Sequence, residues 1–147
     1  MALLSSTDQD KLREAFAELK HPVKILFFSQ TLGCETCPQT RQIIDELPPL
    51  SDKITVEEVN LVLDAEKAKP YGVDRVPALA LLYEENGAGL KDSRIRFVGA
   101  PAGYEFMSLV HAVLLVGGHE STLTEANRKK IAAVDKPLTF QVFTTPT

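Results

Sequence analysis

The period of the hydrophobic positions changes twice in the first third of the chain. Between Ser6 and Lys20 apolar residues recur as Leu12, Phe16 and Leu19, one face of a helix, and Ser6 with Gln9, or Thr7 with Asp10, offers a capping-box start. Then "PVKILFFS", residues 22–29, runs as β-branched and aromatic residues with a proline only at its mouth, which predicts a buried strand. Helical spacing returns in "QTRQIIDEL" through Ile43, Ile44 and Leu47, until "LPPL" stops it.

The same reading continues downstream. "KITVEEVNLVL" predicts a second strand, "DAEKAKPYG" a short helix broken by Pro70 and Gly72, and "ALALLY" a third strand. "EENGAGLKD" is turn chemistry, and "SRIRFVG" predicts a fourth strand forming a hairpin with the third. After a loop from Gly99 to Gly103, "YEFMSLVHAVLLVG" predicts an apolar helix with Phe106, Leu109, Val110, Val113 and Leu114 facing inward. The order βαβα then ββα predicts an α/β fold with a mixed four-stranded sheet and helices on both faces.

The end of the chain repeats its beginning. Ser6, Thr7, Arg13, Ala17, Pro22 and Phe28 recur, in one ungapped register, as Ser121, Thr122, Arg128, Ala132, Pro137 and Phe143. Conservative pairs such as Ile25 with Phe140 and Leu19 with Val134 fill the same register, so a capped helix and a strand are written twice. The expected organisation is one unit over residues 1–116 with its core at 22–116, a linking helix over 117–136, and, at 137–147, the first strand of a second, truncated unit. Alternatively the C-terminal helix and strand decorate a single domain. Such a strand, "LTFQVF", must find a sheet edge to pair with or become an aggregation risk.

Composition narrows the function classes. A chain of 147 residues with 44% hydrophobic residues can bury one ordinary core. Its 16 basic and 20 acidic residues give a net charge of −4 without a basic block, which argues against nucleic acid as a partner. The start "MALLSSTDQD" lacks a signal-peptide pattern, and no apolar run reaches the ~18 residues of a membrane span, so a soluble cytoplasmic protein is expected.

The candidate chemistry lies in "LGCETCPQT", which holds both cysteines, Cys34 and Cys37. A cytosolic pair at this spacing points to redox or metal chemistry. At a strand-to-helix turn Cys34 would feel the positive end of the helix dipole, which favours thiolate, making it the candidate nucleophile. Cys37, three residues on and expected on the same helical face, is the candidate resolving thiol. Of the flanking Glu35 and Thr36, Glu35 opposes a thiolate by like charge, and no cation lies closer in sequence than Lys24 and Arg41. A closed zinc site needs four ligands, whereas the chain has no second CxxC and scattered histidines, so no metal and no cofactor are expected. His111 is expected to be a partly buried packing residue, and His21 and His119 surface residues. Two inert buried thiols remain the structural alternative.

In "YGVDRVPALALLY", Pro77 heads a buried strand after Val76, a natural place for a cis peptide bond. Together, the CxxC and the Val76–Pro77 step resemble the thioredoxin superfamily over about residues 22–116. That resemblance implies a cis-proline loop packed beside the CxxC, with Val76 and Pro77 receiving the extended substrate polypeptide. The extra first helix, the "GAPAG" loop, the repeat and the "TTPT" ending are similar to the glutaredoxin-like protein disulfide oxidoreductases, which join two such units. This family implies a thiol–disulfide oxidoreductase acting on protein disulfides through Cys34 and Cys37, with a flavoprotein reductase and peroxiredoxins as partners. The alternative it leaves is a relay or non-catalytic unit serving a downstream CxxC domain. The chain departs from thioredoxins proper in having no acidic residue between Val23 and Cys34.

Overall fold

The computed structural model describes residues 3–145; the outermost residues of the two expected end regions, Met1–Ala2 and Pro146–Thr147, lie outside the described residues. The chain begins with helix α1, Ser6–Phe16, whose N-cap is Ser5: its side chain accepts the Asp8 amide, one position ahead of the expected capping box. Strand β1 spans Val23–Ser29, helix α2 Cys37–Asp45 and strand β2 Ile54–Asn60. A single turn, α3, Ala65–Ala68, leads through a 3₁₀ turn to strand β3, Ala78–Glu84, which forms a hairpin with β4, Leu90–Val98. Helix α4, Tyr104–Val116, and helix α5, Glu125–Ala132, complete the order.

The four strands form one mixed sheet in the order β2-β1-β3-β4. β1 runs parallel to β2 and antiparallel to β3, so it lies inside the sheet with both faces covered. Its side chains alternate accordingly. Val23, Ile25 and Phe27 enter the larger cluster with Phe16, Ile44, Leu79, Leu81, Leu109 and Val113. Leu26 and Phe28 enter the smaller cluster on the other face with Val59, Ala78, Ala80 and Leu82. Double-sided burial is why this strand reads as a continuous apolar run.

β4 departs from regular pairing at a bulge opposite Ala80–Leu82, where Arg94 takes a left-handed conformation, φ 65°. Ser93 Oγ donates to the Leu81 carbonyl at 2.7 Å and accepts the Ile95 amide, satisfying backbone groups that the bulge takes out of the ladder.

The expected strand over 138–143 is not formed. Residues 122–145 are exposed throughout, and 136–145 join no ladder. A strand forms only where a partner edge satisfies its amides and carbonyls, and residues 136–145 are paired in no such ladder. The linking helix is shorter than the region assigned to it, with Thr124 as its N-cap. His111 is exposed, because α4 turns its apolar face to the sheet and this residue outward; His21, half-buried, instead packs its ring against Tyr83. Phe106 and Leu114, expected to face inward, are half-buried, and Val116 completes the buried stripe of Leu109, Val110 and Val113.

Candidate active site: a disulfide at the head of a helix

β1 ends at Ser29, and the chain makes a short turn through Gly33, whose φ of 76° suits a residue without a side chain. Cys34 follows in this turn and Cys37 begins α2, so the nucleophile candidate lies at the expected strand-to-helix turn, three residues ahead of the helix, and does not share a helical face with Cys37. Pro38 falls in the first turn, where its missing amide costs nothing. The two cysteines form a disulfide with Cα atoms 5.4 Å apart. Cys37 is buried and Cys34 half-buried, which leaves Cys34 the more accessible cysteine. Glu35 and Thr36, between them, are exposed, and the Thr36 carbonyl accepts the Thr40 amide and hydroxyl.

The Val76–Pro77 peptide bond is cis. Pro77 is buried at the head of β3, where its carbonyl accepts the Gly99 amide at 2.9 Å, tying this step to the end of β4. Val76 and Cys34 both pack against the core cluster that contains Cys37. Because β3 is antiparallel to β1, the start of β3 and the turn that carries the cysteines lie at the same end of the sheet.

A cleft of about 320 Å³ opens beside the disulfide, lined by both cysteines and by Ser29, Arg41, Glu58 and Asn60 among others. Sequence reasoning named Arg41 only as a distant cation and did not name Glu58. Arg41 Nη1 donates to Glu58 Oε2 at 2.6 Å, and Arg41 Nε donates to Asp45 Oδ2 at 2.8 Å. Ser29 Oγ donates to the other Glu58 oxygen at 2.5 Å. The hydrogen bond to Asp45, followed by the negative charges of Asp45 and Glu58, raises the Arg41 guanidinium above its ordinary range against the opposing effect of burial. The available signal in the sequence was the spacing of Arg41 four residues after Cys37, one helical turn.

Among the described residues no group of three or more His, Cys, Asp and Glu side chains is placed to hold a metal, and no helix is long and apolar enough to cross a membrane.

No family model matches the chain. A probable thioredoxin of Methanothermobacter marburgensis is 37% identical over 89 residues, covering 60% of this chain and 92% of that protein. Among solved structures, the N-terminal domain of alkyl hydroperoxide reductase AhpF from Enterococcus faecalis superposes with a TM-score of 0.77 at 30% identity, over 90% of this chain and 62% of that one. A protein disulfide oxidoreductase from Aeropyrum pernix gives a TM-score of 0.71 at 27% identity, over 88% of this chain and 54% of that one. The chain thus spans less than two thirds of each of these two solved chains.

Proposed function

The chain belongs to the thioredoxin family, and from that premise we propose that its thiol–disulfide oxidoreductase chemistry acts on protein disulfides, with Cys34 as the attacking and Cys37 as the resolving thiol. The observation that carries this reading is the unequal burial of a bonded pair: Cys34 half-buried, Cys37 buried behind it, beside a cis-proline step. In the reducing direction the Cys34 thiolate attacks one sulfur of a substrate disulfide, forming a mixed disulfide and releasing the other sulfur as a thiolate that takes a proton. Cys37 then attacks Cys34, releasing the second substrate thiol. The Cys34–Cys37 bond that results is the one in the structure, and a reductant must reopen it. Val76 and Pro77 are the groups against which the substrate backbone would lie.

A second reading has its own support. The likeness to the AhpF N-terminal domain, together with the internal repeat, favours a relay unit that passes electrons to or from a second CxxC unit continuing the chain. In that setting the partners are a flavoprotein reductase and peroxiredoxins, and the compartment is the cytoplasm, where reductants reopen the disulfide.

Titration of the purified chain in glutathione or dithiothreitol buffers, with alkylation of free thiols counted by mass, tests the proposal. Both cysteines should change together at a potential between about −270 and −120 mV, the range of known oxidoreductases. A pair that never opens, or thiols that never close, would make Cys34 and Cys37 structural.

A further inference from the structure

The cleft beside the disulfide contains a charge arrangement that the dithiol chemistry does not itself require. Of its lining residues only Arg41 and Glu58 are charged; Ser29, Gln30, Thr31 and Asn60 are neutral and the rest are Phe27, Pro38 and the two cysteines. Both charges are fixed in place. Arg41 stands one helical turn beyond Cys37 and is held by Asp45 a further turn along α2. Glu58 sits on β2 in register with Phe27 of β1, held by Ser29 at the point where β1 leaves for the cysteine turn.

We propose that Arg41 and Glu58 are opposed positioning charges that set the reduction potential of the Cys34–Cys37 pair, Arg41 stabilising and Glu58 destabilising the anionic form of the reduced dithiol. The inference rests on the dithiol reading above. Reduction by a dithiol breaks the Cys34–Cys37 bond and forms the reductant's own disulfide, transferring two electrons. At acid pH both new cysteines keep their protons. At alkaline pH one proton passes to solvent and leaves a thiolate in the cleft with Arg41 and Glu58. A positive charge there favours the reduced state and a negative charge opposes it. The other charges nearby are Asp45, already bound to Arg41; Glu35, exposed within the motif; and Asp74 with Arg75, ahead of Val76, which pair with each other at 2.8 Å. None of these stands among the cleft-lining groups.

The test is titration of wild type, Arg41→Met, Glu58→Gln and Arg41→Lys in the same dithiothreitol buffers at pH 6 and pH 9, so that the reductant's own ionisation cancels between variants. At pH 9, where an ordinary thiol of pKa about 8.5 is largely ionised, Arg41→Met should move the equilibrium about threefold toward the disulfide. Glu58→Gln should move it by a similar factor toward the dithiol. Threefold corresponds to about 14 mV for this two-electron couple, since tenfold is 29.6 mV. Below the pKa of Cys34 in the reduced wild type, read from the pH dependence of its alkylation rate and used in place of pH 6 where it lies lower, both differences should shrink toward zero, and Arg41→Lys should keep the wild-type value at both pH values. Shifts of the same sign, shifts independent of pH, or no shift at pH 9 would each overturn the inference while leaving a wild-type pair that titrates reversibly as the redox centre. A wild-type pair that does not titrate would instead refute the proposed function.

Discussion

Leu19 occupies the space that a Cβ on Gly117 would need. The glycine backbone at the end of α4 lies directly against the Leu19 side chain, and its carbonyl accepts the amides of Lys20 at 2.8 Å and His21 at 3.0 Å. These contacts join the end of α4 to the turn that carries the chain from α1 into β1. Leu19 is only 2% exposed, inside the larger core cluster, so its side chain must shift against packed neighbours to make room. Gly117→Ala should therefore lower stability by about 1–3 kcal/mol through overpacking, although alanine is the better helix former. Urea unfolding would measure it, and a variant as stable as wild type would show that the joint can open.

Cys37→Ser should leave Cys34 able to attack and unable to be resolved. Incubation with a disulfide-containing protein should then accumulate mixed disulfides through Cys34, seen as a mass increase that dithiothreitol reverses. Cys34→Ser should accumulate few, because the remaining sulfur at position 37 is buried. Equal trapping by both variants would count against the assignment of roles.

On the far edge of the sheet, Arg96 grips Asp92 with two hydrogen bonds, at 2.8 and 2.6 Å, and donates a third to the Tyr71 carbonyl while lying over the Tyr71 ring. The Arg96 hydrogen bond, foremost, holds the Asp92 carboxyl below the usual carboxylate range, against the opposing effect of burial. A carboxylate whose folded value is depressed contributes its full stabilisation above the unfolded value of about 3.9 and loses it as pH falls through the folded one. Asp92→Asn should thus cost about 1 kcal/mol at neutral pH, the upper end for a partly screened pair. The gap from wild type should close as both are unfolded at progressively lower pH below 4. A gap that persists at acid pH would assign the loss to packing.

Arg94, beside this pair, adopts φ 65° with its amide bound to Asp92 Oδ1 at 2.8 Å. A non-glycine residue there costs about 1 kcal/mol relative to glycine. Arg94→Gly should be neutral or stabilising by up to about 1 kcal/mol, whereas glycine at a regular strand position would destabilise. Thermal unfolding of this single variant would distinguish the two cases.

Features that depend on one element's own pattern were legible in the sequence. β1 shows its double burial as an unbroken apolar run, and Pro77 marks its cis step by standing at the head of β3 after Val76. Features that depend on several candidates or on a second element were not. Ser5, Ser6 and Thr7 all carry a capping hydroxyl, and which one starts α1 depends on the approach of the preceding chain. The Arg41–Glu58 pair joins a helix to a strand across the chain fold, and its existence depends on the β1–β2 register, which local spacing does not encode. The segment "LTFQVF" has the composition of a strand, but a strand is made by its neighbour's amides and carbonyls.

That last segment gives the remaining prediction. Thr124 caps α5 and Arg128 donates to the Ser121 and Leu123 carbonyls, so these polar groups are satisfied within the segment itself. From Thr122 to Thr145 every residue is exposed, including Phe140 at 82%, Val142 at 84% and Phe143 at 89%. Removing residues after Glu120 therefore takes away little buried apolar area, and stability should change by less than about 1 kcal/mol, on the scale of surface changes. The redox titration should also be unaltered, because the cleft beside Cys34 and Cys37 is built from residues before 61. Self-association should fall, since an exposed strand-forming run with two phenylalanines is a template for pairing with another chain. Sedimentation of the two forms at matched concentration, alongside urea unfolding, reads both effects. A truncated chain that loses several kcal/mol would show that the segment covers the unit in solution, whereas one that keeps its stability and becomes monomeric would show a unit that folds without its repeat.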